Sequence, residues 1–333
     1  MHLRILYKLS GFIGLLCLLA TSCTTVPQAT AGSPTQQTQG TSGEQVTLKM
    51  AVLPILDALP MYVADQRGYF EGHNLKVEFI PVGSAAERDQ LMAAGQADGM
   101  INDLVSTLFY NKDAIQIQVI GFARTATPDF PQYRILAAKD SSIRTANDLK
   151  GVEIGISEGS VIAYTTDRLL EAEGLKPADI KTLAVPKISD RLALLASGQL
   201  LAANLPDPLS SLAIQQGARV ILDDTKHPEL GNSLISFRKP VLDDHPEAVR
   251  AFMASLEQAI QDINANPDQW NDLLTGKQLV PASLIGSYKI PTFPTKSVPS
   301  EAQWNDVLAW AKEKGLIAVD VAYQESVTTN FLP

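Results

Sequence analysis

Cysteine is almost absent from this chain: Cys17 and Cys23 are the two that occur, and both fall within the first 23 residues. Everything downstream therefore lacks both a disulfide framework and a cysteine nucleophile. Histidine is nearly as scarce. His2 lies at the start, His73 in a glycine-flanked turn, and His227 and His245 each directly precede a proline. None has a second ligand at metal spacing, so these read as caps or turn residues rather than a zinc site or catalytic centre. Basic charge is also short, with 27 Lys and Arg against 36 Asp and Glu. Arg4 and Lys8 lie in an N-terminal segment expected to be removed as a signal, and taking these two away leaves 25 basic residues against 36 acidic ones. A nucleic-acid partner is not expected from that balance. What is present is ordinary for a soluble globular protein, 45% hydrophobic and 6% aromatic. The 333 residues exceed the usual size of one domain, which suggests two lobes.

Residues 1–23, MHLRILYKLSGFIGLLCLLATSC, read as a secretory signal. Arg4 and Lys8 form its positive end, and the apolar run from Leu9 to Ala20 is roughly a dozen residues, too short to span a bilayer as a mature helix. Its end, Leu19-Ala20-Thr21-Ser22-Cys23, resembles a bacterial lipobox with alanine where leucine is usual, and makes Cys23 the expected site of lipidation. Residues 24–45 are mostly Thr, Gln, Ser, Gly and Pro, with a single charge. Such a composition cannot bury enough apolar surface to offset the entropy of ordering, so a flexible leash is expected. By random-coil statistics it would hold the body roughly 25 Å from a membrane. The expected location is extracytoplasmic, at one membrane face, with a mature fold that has no disulfide despite an oxidising compartment.

From Val46 short apolar runs alternate with amphipathic segments. VTLKMAVLP, LKVEFIPV, ADGMIN and IQIQVIGFA read as strands, and the segments between the first three as helices. The grammar restarts after YRILAAKD, with VEIGIS, IKTLAV and LAANL as strands and helices over 160–173 and 189–197. Alternation of this kind implies parallel pairing in an α/β fold. One stretch is nearly repeated: RDQLMAAGQADGMINDLVSTL (88–108) and RLALLASGQLLAANLPDPLSSL (191–212) share Arg88/Arg191, Leu91/Leu194, Ala93/Ala196, Gly95/Gly198 and Gln96/Gln199. After one inserted residue the match resumes at Asp103/Asp207, Ser106/Ser210 and Leu108/Leu212. Each copy reads as a helix, a glycine turn, a short buried strand and a polar turn into the next helix. Two such lobes facing each other make a cleft at strand C-terminal ends, where open α/β sheets bind ligands.

GYFEGHNLKVEF, AAGQADGMI, ILAAKDSSIRTANDLKGVEIGISEGS and LASGQL followed by PDP resemble the solute-binding proteins of ABC importers that handle nitrate, taurine, alkanesulfonates and the thiamine pyrimidine, a group that includes NMT1- and THI5-type proteins. The resemblance runs over 46–239. It implies a two-lobed periplasmic-binding fold of type II, no cofactor, a small-molecule solute, and an ABC permease with its ATPase as partner, the protein acting as a monomer. It also implies two crossover hinge strands, placed here at 133–139 and Asn232–Arg238. The lobes then comprise 46–138 with 233–333, and 139–232, the C-terminal segment with Trp270, Trp304 and Trp310 packing back onto the first. A THI5-like pyrimidine-synthesis enzyme and an extracytoplasmic sensor module are the alternatives. The secretion signal argues against the former.

Topology nominates the contacts. Asp57 follows the first strand and either touches ligand or caps a turn; Tyr62 and Tyr164 either stack on a ring or pack the core. Gly83 and Ser84 follow the second strand, and Asn102 and Asp103 the third, where Asp103 is equally an N-cap. Ser157, Gly159 and Ser160 open a helix whose free N–H groups suit an anionic or carbonyl oxygen. Asp207 before Pro208 fits an N-cap and first helical position, and Arg124 suits an anion or a salt bridge. With Asp57, Asp103 and Asp207 on cleft loops and Arg124 the nearby cation, nitrate and simple alkanesulfonates are disfavoured. A neutral or amine-bearing solute is expected, such as a heterocyclic vitamin precursor, or a zwitterion whose anionic end meets 157–160.

Overall fold

The computed structural model describes residues 45–333; the signal, Cys23 and nearly all of the leash lie outside the described residues. Two five-stranded mixed sheets form the body. The first has the order β2-β1-β3-β10-β4, from Val46–Val52 (β1), Leu75–Pro81 (β2), Gly99–Asn102 (β3), Ile117–Thr125 (β4) and Asn232–Arg238 (β10). The second has the order β7-β6-β8-β5-β9, from Tyr133–Ala137 (β5), Glu153–Ile156 (β6), Lys181–Ala184 (β7), Ala202–Pro206 (β8) and Arg219–Asp223 (β9). The orders correspond position by position. In each sheet the fourth strand, β10 or β5, is antiparallel to both neighbours, and the others share one direction. The buried runs explain the centres: every residue of β3 and β8 is buried, whereas the edge strand β7 is exposed throughout.

The strand at 133–137 is not a hinge. It pairs with β8 from Tyr133↔Pro206 to Ala137↔Ala202 and belongs to the second sheet, while β10 lies between β3 and β4 in the first. The chain crosses between sheets at 126–132 and 224–231, so the first lobe ends before Tyr133 rather than at Ala138. Hydrophobic alternation marks both strands as apolar but cannot say which sheet receives them.

The C-terminal segment does more than pack on the first lobe. The Pro246–Ala265 helix and Trp270 belong to the core around β1 and β10. The Glu301–Glu313 helix, carrying Trp304 and Trp310, lies against the Leu104–Asn111 helix of the first lobe and also grips the second. Trp310 Nε1 donates to Asp167 Oδ2 at 2.8 Å, and Arg168 pairs with Asp306 at 3.1 Å. Tyr164 donates its hydroxyl to Asp306 and meets the Trp310 ring edge-on.

Candidate functional site

The loops after β1, β3, β6 and β7 and the end of β8 converge on a cavity of about 60 Å³ between the lobes, at the C-terminal ends of the parallel strands. Leu53 and Ile55 face Ile188 across it within one apolar cluster. Polar side chains enter from both sides: Arg88, Asn102 and Asp103 from the first lobe, and Ser157, Ser160 and Arg191 from the second.

Most of these groups are already committed. Asn102 accepts from Ser236 Oγ at 2.7 Å and donates to Thr107 Oγ1 at 3.0 Å. Ser160 caps the Val161–Ala172 helix, accepting from Ile162 N at 3.3 Å and donating to Ser157 O at 2.8 Å. Asp103 caps the Leu104–Asn111 helix through Ser106 N at 2.9 Å and lies 3.9 Å from Arg88. Burial pushes its carboxyl above the ordinary carboxylate range, opposed first by Arg88 and also by backbone N–H groups, including that of Val161 on the facing lobe. An acidic side chain of the first lobe thus addresses the N-terminus expected to hold the anionic end of a solute.

Asp57, Arg124 and Asp207 form a separate buried cluster beside the crossovers and do not line the cavity. Arg124 lies 3.5 Å from Asp57 and 3.5 Å from Asp207, joining the two lobes. Arg134 meets Asp207 at 2.8 Å, Ser211 Oγ donates to it at 2.6 Å, and Tyr288 donates its hydroxyl. Burial pushes the Asp207 carboxyl up, yet Arg124 and Arg134, joined by the hydrogen bonds from Ser211 and Tyr288, together outweigh it and hold the group below its ordinary value. For Asp57 burial wins over Arg124 and the carboxyl is raised. The Asp207–Pro208 peptide is cis and Pro208 itself is the N-cap residue, so the expected Asp N-cap with proline at the first helical position is not what forms. With two of three aspartates neutralised and the third facing Arg88, the electrostatic reason for disfavouring anions is gone.

The remaining candidates do not themselves line the cavity. Tyr62 packs on Phe79 with centroids 4.7 Å apart, and Tyr164 belongs to the Trp310 cluster. Gly83 donates its N–H to Glu87 at 2.7 Å in an exposed turn, and Ser84 caps the Ala85–Ala93 helix through Glu87 N at 3.2 Å. Gly159, at φ +62°, makes the turn before Ser160 and lies close to Phe109 of the first lobe.

Sequence reading missed Arg88 and Arg191 as site residues although the repeat displays them. Each sits on the helix that precedes a glycine turn, Gly95 (φ +68°) or Gly198 (φ +75°), and each donates to a carbonyl thirteen residues ahead. Arg88 Nη1 reaches Ile101 O at 3.2 Å, and Arg191 Nε reaches Asn204 O at 3.0 Å. They are 2% and 0% exposed, and each keeps an Nη2 without a hydrogen-bond partner.

Residues 56–270 match the family described as NMT1/THI5 like. The chain belongs to the NMT1/THI5-like family. The riboflavin-binding protein RibY of Chloroflexus aurantiacus is 25% identical over 96% of this chain and 96% of its own. The bicarbonate-binding protein CmpA of Synechococcus elongatus is 24% identical over 73% of this chain and 60% of its own. The alkanesulfonate-binding protein SsuA of Xanthomonas axonopodis pv. citri, solved with MOPS, superposes with a TM-score of 0.73 at 18% identity, covering 86% of this chain and 99% of that one. These relatives are named as solute-binding proteins, and the fold of this chain is the two-lobed periplasmic-binding architecture that the family resemblance implied. Among the described residues no helix is long and apolar enough to cross a membrane.

Proposed function

We propose that this protein is an extracytoplasmic substrate-binding protein of an ABC importer, anchored by lipid on Cys23. It captures a small organic solute between its lobes as a monomer and delivers it to the permease and its ATPase; no bond is made or broken. One observation carries the reading: a cavity at the strand C-terminal ends of both sheets receives buried polar side chains from both lobes. Of the residues named from sequence, Asn102, Asp103, Ser157 and Ser160 line it and are the solute contacts in this reading. Asp57, Arg124 and Asp207 instead tie the lobes together beside the crossovers. Tyr62, Gly83, Ser84, Gly159 and Tyr164 serve packing, turns and caps. Closure about residues 126–132 and 224–231 would shield the solute from water and create the surface that the permease reads.

A thermal-shift screen of vitamins, flavins, amino acids, sulfonates and carboxylates tests this. A true solute at about 100 times its dissociation constant stabilises the folded state by roughly 2.7 kcal/mol. A melting temperature unmoved by every compound would remove the proposal.

A further inference from the structure

Arg191 presents an unusual charge balance. It is fully buried, and no carboxylate among the described residues pairs with it. Nε is spent on Asn204 O, and Nη1 on Val185 O at 2.7 Å and Pro186 O at 3.4 Å, which leaves Nη2 without a partner. Its chain neighbour Asp190 is exposed and bonded to Ser189 instead. Arg191 also stands near the N-terminus of the Ile188–Ala196 helix, where the positive end of the helix dipole disfavours a further cation. Burial alone pushes its guanidinium down to about 10. Arg88, its counterpart in the repeat, differs: Asp89 lies at 2.8 Å and Asp103 at 3.9 Å, so its charge is met within the protein. A buried cation without a counter-ion is costly, and the missing charge is most simply supplied from the cavity that Arg191 lines.

We propose that the solute is an organic monocarboxylate with an apolar body, its carboxylate received by Arg191. The inference rests on the solute-binding reading above. Free donors are scarce in the cavity, since Asn102 and Ser160 are committed and Asp103 addresses the opposite helix terminus. One free guanidinium nitrogen suits the two oxygens of a carboxylate better than the three of a sulfonate or nitrate. The walls of Leu53, Ile55, Val161, Ile162 and Ile188 would gain nothing from a small inorganic anion and would be covered by an apolar body.

The test is calorimetry and thermal shift on the full chain with matched probes: hexanoate against hexanesulfonate, phenylacetate against phenylacetamide, and nitrate. The expected result is that the carboxylates bind, that their sulfonate and amide partners bind at least tenfold more weakly, and that nitrate does not bind. Arg191→Gln should weaken the best carboxylate by at least about 30-fold. Arg191→Lys should restore part of that loss, and far-ultraviolet dichroism reports whether either variant is folded. Equal carboxylate affinity in a folded Arg191→Gln protein overturns the inference. Preference for the sulfonate, amide or nitrate overturns it too, while leaving solute binding intact. Silence from every probe and from the wider screen removes both readings.

Discussion

Asp224 is fully buried in the second crossover, and its carboxylate accepts from the backbone of the first: Gln132 N at 2.8 Å and Tyr133 N at 3.2 Å. One carboxylate therefore pins both connections between the lobes. Burial pushes it up to about 6, against the pull of the Gln132 and Tyr133 N–H groups, its own N–H and, last, Arg124 from β4. The Tyr133 ring and the Gly231 backbone complete its surroundings. Because the folded pKa lies above the ordinary value of 3.8, the native state holds the proton more tightly than the unfolded chain. The stability linked to that proton is full below the ordinary value of 3.8 and is lost as pH rises through about 6. A shift of about two pKa units corresponds to about 3 kcal/mol. Asp224→Asn cannot ionise, so its stability relative to wild type should rise by most of that amount between pH 4 and pH 7 and stay level above. Urea unfolding followed by the fluorescence of Trp270, Trp304 and Trp310 at each pH measures the difference. A difference independent of pH, or one that moves against the variant as pH rises, would refute the reasoning. Either result would mean that the backbone donors, not burial, set the proton affinity.

Gly231→Ala should destabilise the protein by about 1 to 3 kcal/mol in the same unfolding assay, since an added Cβ would stand 2.0 Å from Asp224 Oδ2 and 3.1 Å from Tyr133 Cδ2. Asp224→Asn combined with it should not recover the loss, because the amide occupies the same space. Cys23→Ala should move the protein from the membrane to the soluble extracytoplasmic fraction with unchanged melting temperature; persistent membrane association would end the anchor assignment.

The sequence announced the parallel strands and their helices through periodicity and glycine turns, and Gly95 and Gly198 do take the left-handed conformation that a helix C-terminus favours. It did not reveal where β5 and β10 insert, because pairing partners distant along the chain leave no trace in the alternation of either strand. The C-terminal segment was expected to pack back onto the first lobe, but the grip of its Glu301–Glu313 helix on the second lobe depends on Asp167 and Tyr164, more than 130 residues earlier. The site was half legible. Asn102, Asp103, Ser157 and Ser160 reach the cavity because they follow β3 and β6, whereas Asp57 and Asp207 follow β1 and β8 yet turn to Arg124 and Arg134. Sequence cannot distinguish an aspartate that faces solvent in a cleft from one neutralised by an arginine far along the chain. The repeated arginines were in plain view, and their burial without a free partner for Nη2 is what the structure added.

In the proposed mechanism the solute binds between lobes that rotate about 126–132 and 224–231. Solution scattering of the full chain, free and saturated with the best compound from the thermal screen, tests it most directly. The saturated protein should have the smaller radius of gyration as the cleft closes, and an unchanged radius under confirmed saturation would rule out closure about these crossovers.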